Sequence, residues 1–213
     1  MVYTLEEMPS LTPGLFTELS YDMIKSKGFL KSPYKTPFLL PSEEDLLDQE
    51  SFAKVAICYD EGGIYLSILI EKPFEQVSYP NVSQGDGVEI FIDTRGLKNV
   101  GSIHKFCHHF VFLPKEEHGI QGVEITKLRL EDSHPIGDPS SLHVETIFHK
   151  DSFEMKIFIE ADALYGYDLS TTSKIGFAYK IHGKGYRTQH LGFSSEFVVL
   201  EKYPSLWSIL NLK

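Results

Sequence analysis

The sequence predicts an all-β protein: an antiparallel β-sandwich of jelly-roll type, with a short helical turn and a mostly irregular N-terminal arm. Three observations predict it. From Phe52 onward, runs rich in Val, Ile, Phe and Tyr alternate apolar and polar residues with period two. Short turn sequences separate these runs, which implies antiparallel neighbours, since parallel strands need long crossovers. Almost no helix is read along the chain, only short stretches such as 43–49 and 161–167.

Residues 1–50 form the arm, and residues 51–213 the sandwich. The arm holds Pro9, Pro13, Pro33, Pro37 and Pro41, with little alternation. It carries a basic cluster, Lys25, Lys27, Lys31 and Lys35, whose plainest reading is a solvated face. Ser42, before Glu43-Glu44-Asp45, is placed to cap a short helix over 43–49, because its hydroxyl can accept a first-turn N–H. Lys54–Tyr59 and Ile64–Glu71 then flank Asp60-Glu61-Gly62-Gly63, a hairpin. Val88–Thr94 alternates cleanly. Lys105–Leu113 is aromatic-rich and ends at Pro114, and Val123–Leu130 alternates more weakly. Leu142–Phe148 and Phe153–Glu160 flank His149-Lys150-Asp151-Ser152, a second hairpin. Ala161–Tyr167 reads as one helical turn ended by Gly166. Ile175–His182 and Leu206–Leu212 complete the strands.

Composition narrows the functional classes. The 213 residues suit one domain able to bury its own core. Thirty acidic against 20 basic residues give a formal charge of −10, which argues against nucleic-acid binding, where a basic face must displace counterions. Two cysteines, Cys58 and Cys107, exclude a disulfide framework. The N-terminus lacks a basic start and an apolar run, and the longest apolar stretch, near Gly63–Ile70, falls far short of the ~20 residues of a membrane span. A cytoplasmic protein without a membrane partner is the expectation.

Alternation assigns faces. Val88, Ile90, Ile92 and Thr94 share one side of their strand, and Glu89, Phe91 and Asp93 the other. Phe153, Met155, Ile157 and Ile159 face the core, opposite Glu154, Lys156, Phe158 and Glu160. If these strands are neighbours, their polar sides form a charged sheet face with embedded rings, suited to a polyol or peptide, or simply covered by a loop. Glu89 and Asp93 are about 13 Å apart along a strand, outside both separations used by glycosidase carboxylates. In His104-Lys105-Phe106-Cys107-His108-His109, strand geometry separates His104 from His108 by about 13 Å and turns His108 and His109 to opposite faces. Cys107 and His109 share a face and can supply two ligands of a metal site, completed by residues such as Cys58 or Glu89. The plainer reading packs Cys107 in the core and leaves the histidines hydrogen-bonded at a sheet edge. No phosphate loop, nucleophile elbow or H-E-x-x-H is present. Gly85-Asp86-Gly87 precedes a strand and reads as a turn, with Asp86 bonding its own following backbone.

Tyr59-Asp60-Glu61-Gly62-Gly63-Ile64-Tyr65, Gly85-Asp86-Gly87-Val88-Glu89-Ile90-Phe91-Ile92-Asp93 and the closing Trp207-x-x-Leu210-x-Leu212 resemble the carbohydrate-binding module family 9-like domains of the wider DOMON-like β-sandwiches. The segment from Asp93-Thr94-Arg95 to Pro114 is similar to a bacterial branch of these domains. The resemblance covers about residues 36–213. It implies a non-catalytic module for a carbohydrate or polyol, with Glu89 at the motif glutamate and Asp93 and Arg95 beside it as hydrogen-bonding groups. His104 and His108 then stand at the rim, with Tyr79 and Trp207 as stacking surfaces. Sugar-binding members clasp a glycan between two tryptophans, whereas this chain has Trp207 alone, whose plainer reading is packing beneath the closing strand. Haem-binding relatives use Met and His, but Met155 falls on a core face, so no haem is expected. No cofactor is expected under this reading. A second reading is a metal-binding protein or metalloenzyme built on Cys107 and His109. A third is a protein-interaction module using the sheet face or the basic arm.

Overall fold

The computed structural model describes residues 19–35, 38–42, 51–191 and 199–213. The helix expected over 43–49 lies outside these residues. Among the described residues there are twelve strands: β1 (Ser20–Lys25), β2 (Leu39–Leu40), β3 (Ala53–Asp60), β4 (Gly63–Ile70), β5 (Gly87–Asp93), β6 (Cys107–Glu117), β7 (Ile120–Glu124), β8 (Leu142–Phe148), β9 (Phe153–Glu160), β10 (Lys174–His182), β11 (Gln189–Leu191) and β12 (Ser208–Leu212). One sheet runs β7-β6-β5-β10-β12, with β11 on β10, and the other runs β3-β4-β9-β8, with β2 on β3. The apolar faces meet between them, burying Val88, Ile90 and Ile92 against Leu66, Ile68, Met155 and Ile157. No helix of the described residues is long and apolar enough to cross a membrane.

The antiparallel expectation has one exception. β1 runs parallel to both of its partners, pairing Ser20–Met23 with Ile209–Leu212 and then Ile24 and Lys25 with Cys58 and Tyr59. A single strand therefore passes from one sheet to the other and closes that side of the sandwich. Parallel pairing is open to it because its partners are remote in sequence or reached through the arm.

The expected hairpins form, β3 with β4 and β8 with β9. β9 shows strict alternation, with Phe153, Met155, Ile157 and Ile159 buried and the residues between them partly exposed. Other boundaries differ. β6 does not stop at Pro114 but continues to Glu117, and its register with β7 shifts between Phe112 and Glu117, the irregularity that lets a strand carry a proline. β7 ends at Glu124, earlier than expected, and its hairpin turns on His118 and Gly119, both at positive φ (54° and 79°). The helical turn is shorter than expected, a 3-10 turn over Ala161–Ala163. β5 and β9 lie in different sheets, so their polar faces form no common surface.

The Gly85-Asp86-Gly87 segment does more than turn the chain. Asp86 is fully buried and accepts four hydrogen bonds or ion contacts. Its Oδ2 takes Glu75 N–H (2.7 Å) and Gln76 N–H (3.2 Å), while Oδ1 takes Lys184 N–H (3.0 Å) and the Lys72 ammonium (2.6 Å). None of these is to its own following backbone, which corrects the sequence reading. Lys72 is buried as well, and a Cβ on Gly183 would lie 2.5 Å from its Cε. A Cβ on Gly85 would lie 2.7 Å from Ser78 N, and one on Gly87 2.5 Å from Val82 Cγ1, so both glycines are required by space. Removing one partner of a buried ion pair strands the other. Asp86→Ala is therefore expected to lower stability by about 3–5 kcal/mol in urea unfolding. Lys72→Met removes the charge but keeps the stem, and leaves Asp86 its three N–H donors, so its loss is expected to be smaller. Equal losses would contradict the asymmetry.

Candidate functional site

Pairing places Glu89 opposite Lys180 and Phe91 opposite His109, all on the outer face of the first sheet. Three segments wall this face into a cleft of about 650 Å³: residues 101–103, 125–129 and 201–203. Glu89 and His109 line it beside Ile103 and Ile125, with Lys127 and Tyr203 further along the wall. Glu89 Oε2 accepts from His109 Nε2 and Oε1 from His182 Nε2, each at 2.7 Å. His182 Nδ1 lies 3.1 Å from Thr188 Oγ1. Burial acts to raise the Glu89 carboxyl, but the two imidazoles outweigh it and hold the group well below the usual carboxylate range. Phe91 stacks on His109 (4.3 Å between centroids) and is overlain by the Lys180 ammonium, which also meets Glu201 Oε1 at 2.5 Å. The cleft floor is thus an anion pinned between two rings that set its orientation.

A second carboxylate lies on the other side of β6. Glu124 is paired with Phe110 on the inner face and accepts from His108 Nδ1 (2.9 Å), His134 Nε2 (3.0 Å), Thr126 Oγ1 (2.6 Å) and Gly137 N–H (2.6 Å). The outer ring nitrogens are also engaged, His134 Nδ1 with Lys105 O (2.7 Å) and His108 Nε2 with Tyr165 O (3.4 Å). Thr126 Oγ1 in turn accepts the His109 N–H (2.8 Å), so this network props the strand residue that lines the cleft. His108 adjoins the cleft, but it is fully buried and its ring stacks on Phe110, so it offers no exposed group at a rim.

A third cluster joins Asp93, His104 and Cys107, all buried. Asp93 Oδ1 accepts Arg95 N–H (3.0 Å) and Oδ2 accepts Leu97 N–H (2.5 Å), closing the turn after β5. Cys107 and His109 share a face as expected, but their side chains join different clusters, one facing Asp93 and the other bonded to Glu89. Cys58 lies on β3 in the other sheet. Burial, with the charges of Asp93 and Asp132, pushes the Cys107 thiol up, which makes it a poor nucleophile.

The remaining expected residues scatter. Arg95 leaves the cleft: its guanidinium donates to Thr171 Oγ1 (2.8 Å) and Thr172 Oγ1 (2.9 Å) and lies over Phe106, in a separate depression of about 360 Å³. Tyr79 packs with Val82, Val111 and Leu113, and its N–H donates to Glu117. Trp207 is 1% exposed and donates Nε1–H to Leu200 O (3.0 Å), so it packs and offers no stacking surface. His104 is likewise buried, although the adjoining Ile103 lines the cleft. Glu124, His134 and His182 are not singled out by the sequence pattern. His182 was within reach, since alternation puts it on the same face as Lys180. His134 sits in a loop with no spacing signal.

No protein-family model matches the chain, and no curated protein matches it. Solved structures do. The chain is similar to a carbohydrate-binding module family 9 from Caldicellulosiruptor kristjanssonii in complex with cellotriose, at 15% identity and TM-score 0.64 over 92% of this chain and 94% of that one. It is similar to the same organism's module with glucose at 14% identity and TM-score 0.59, over 92% and 95%. A candidate carbohydrate-binding protein from Bacteroides uniformis ATCC 8492 matches at 10% identity and TM-score 0.51, over 92% and 99%. At these identities the likeness is one of fold: the sandwich expected from the sequence is similar to the fold of these modules.

The Glu124 network carries a pH signature. Burial raises this carboxyl, but hydrogen bonds from His108 and His134 outweigh it and bring it from 4.5 down to about 2. A carboxylate depressed in the folded state stabilises the protein above its unfolded value, and that contribution is lost as pH falls from about 4.5 toward about 2. Urea midpoints measured from neutral pH downward are expected to fall through this window in the wild type. Glu124→Gln is expected to be less stable at neutral pH and to show a flatter acid limb. An unchanged acid limb in the variant would contradict the role of Glu124.

Proposed function

We propose that this chain is a non-catalytic carbohydrate-binding module whose site is the cleft over Glu89 and His109. The observation that carries the proposal is the Glu89 carboxylate, held ionised and oriented by two histidines in a cleft that also presents Lys127 and Arg129. Sugars and polyols offer hydroxyls that donate to a carboxylate and accept from cations. A charged acceptor fixed in advance avoids the ordering cost that a mobile side chain brings to binding. Ile103, Ile125 and Tyr203 add apolar surface for the ring faces of a sugar, and the volume falls in the range of small-ligand sites. The shared architecture with modules seen with cellotriose and glucose supports the same ligand class. Trp207 takes no part, so this reading replaces the tryptophan clasp of the family with a polar floor.

Calorimetric titration of the full chain with glucose, cello-oligosaccharides and simple polyols tests the proposal. Glu89→Gln is expected to weaken binding by about 10–100-fold, the loss of a hydrogen bond to a charged group. Arg95→Ala, in its separate depression, is expected to bind as the wild type does. Trp207 fluorescence is expected to stay constant on saturation. Wild-type affinity in both Glu89→Gln and Lys127→Ala, or no binding across the sugar panel, would overturn the proposal.

A further inference from the structure

Two groups of three side chains among the described residues bring metal-ligating atoms within 4.8 Å of one another: His108, Glu124 and His134, and Asp93, His104 and Cys107. They differ in one respect. In the first, every ring nitrogen has an oxygen partner, and Glu124 meets the histidines at hydrogen-bonding distances of 2.9 and 3.0 Å. That group is complete as a proton-sharing network. In the second, His104 Nε2 is buried with no hydrogen-bond partner among the described residues. It lies 3.6 Å from Asp93 Oδ2, too far for a hydrogen bond. Zinc bonds of roughly 2.0–2.2 Å at a tetrahedral angle place a nitrogen and an oxygen ligand about 3.4 Å apart, so the spacing fits two ligands of one ion.

We propose that Asp93, His104 and Cys107 form a binding site for a zinc-class divalent cation. The donor set is one carboxylate oxygen, one imidazole nitrogen and one sulfur, which selects zinc or cobalt over the oxygen-seeking magnesium and calcium. The scaffold is rigid. Asp93 ends β5 directly opposite Cys107 at the start of β6, and Cys107 N–H donates to His104 O (2.9 Å), so a short His-x-x-Cys turn sets both ligands. The N–H of Arg95 holds the other oxygen of Asp93, the kind of outer support that metal ligands use. Binding replaces the thiol proton: the Cys107 S–H bond breaks, a sulfur–metal bond forms, and the proton leaves to solvent. Coordination through Nε2 puts the ring proton on Nδ1, so the long contact from Phe106 N–H (3.3 Å) is the one that yields. The bound ion ties the segment after β5 to the start of β6, and Gly101, Ser102 and Ile103 of that segment wall the cleft.

The test is titration of the purified full chain with Co²⁺, followed by absorption spectroscopy. The expected result is one Co²⁺ per chain, with a thiolate-to-metal charge-transfer band and the intense visible bands of a tetrahedral ion. Cys107→Ser is expected to abolish the charge-transfer band, and Cys58→Ser to retain it. His104→Ala is expected to weaken binding by at least about tenfold. Zn²⁺ is expected to raise the unfolding temperature of the wild type and not of His104→Ala, since an ion bound only by the folded state stabilises it. Absence of a thiolate band in the wild type, a band that follows Cys58, or undiminished affinity in His104→Ala would each overturn the proposal. The wild-type spectrum decides even if a variant fails to fold.

Discussion

The buried Asp86 carboxylate is the constraint on which the arrangement of the first sheet rests. It lies immediately before β5 and collects N–H groups from the segment after β4 and from the turn after β10, together with the Lys72 ammonium. One charged group thus ties three stretches of chain at the point where β5 begins. A charge placed there is tolerated only because every lone pair it offers is used. Gly85, where a Cβ would meet Ser78 N, lets the backbone come close enough for this to happen. With its start anchored, β5 runs in a single register. Ile90 then goes to the core, and Glu89 to the outer face where β6 and β10 supply its partners.

β6 turns a run of neighbouring residues into separate chemistries. Cys107 and His109 point outward and His108 inward, as period two requires, and each meets a different carboxylate: Asp93, Glu89 and Glu124 in turn. The three carboxylates are buried or nearly so, and each faces at least one imidazole. Imidazoles suit this role because they can donate from one nitrogen while the other is held by a backbone or hydroxyl oxygen. The consequence is a layered site. The Glu124 network supports the strand from within, the Glu89 group forms the cleft floor, and the Asp93 cluster anchors the segment that walls it.

Much of the fold was legible in local pattern. The two hairpins, the alternation of β5 and β9 and the closing strand all follow from residues within a few positions of one another. Glu89 was legible for the same reason, as the polar residue between Val88 and Ile90 on a strand with one apolar side. Local pattern misled where its signals were ambiguous. Pro114 reads as a strand end, yet it is carried through a register shift. Trp207 reads as a stacking surface or a core residue, and only the overlying turn around Leu200 decides between them.

Local pattern is enough to assign which residues share a strand and a face, because the pleat alternates every residue whatever surrounds it. It also determined that the chain is a sandwich, since many short alternating runs joined by turns have few other ways to bury one face each. Tertiary structure alone decided that β1 runs parallel between the sheets, that β5 and β9 lie on opposite sides, and that Cys107 belongs with His104 and not His109. It also decided that His134 and His182 complete the networks of Glu124 and Glu89. Apart from the short turn from His104 to Cys107, these are facts about neighbours remote in the chain. Which strand lies alongside, and which loop closes over a face, is set by burial summed over the whole molecule, and no short spacing records it.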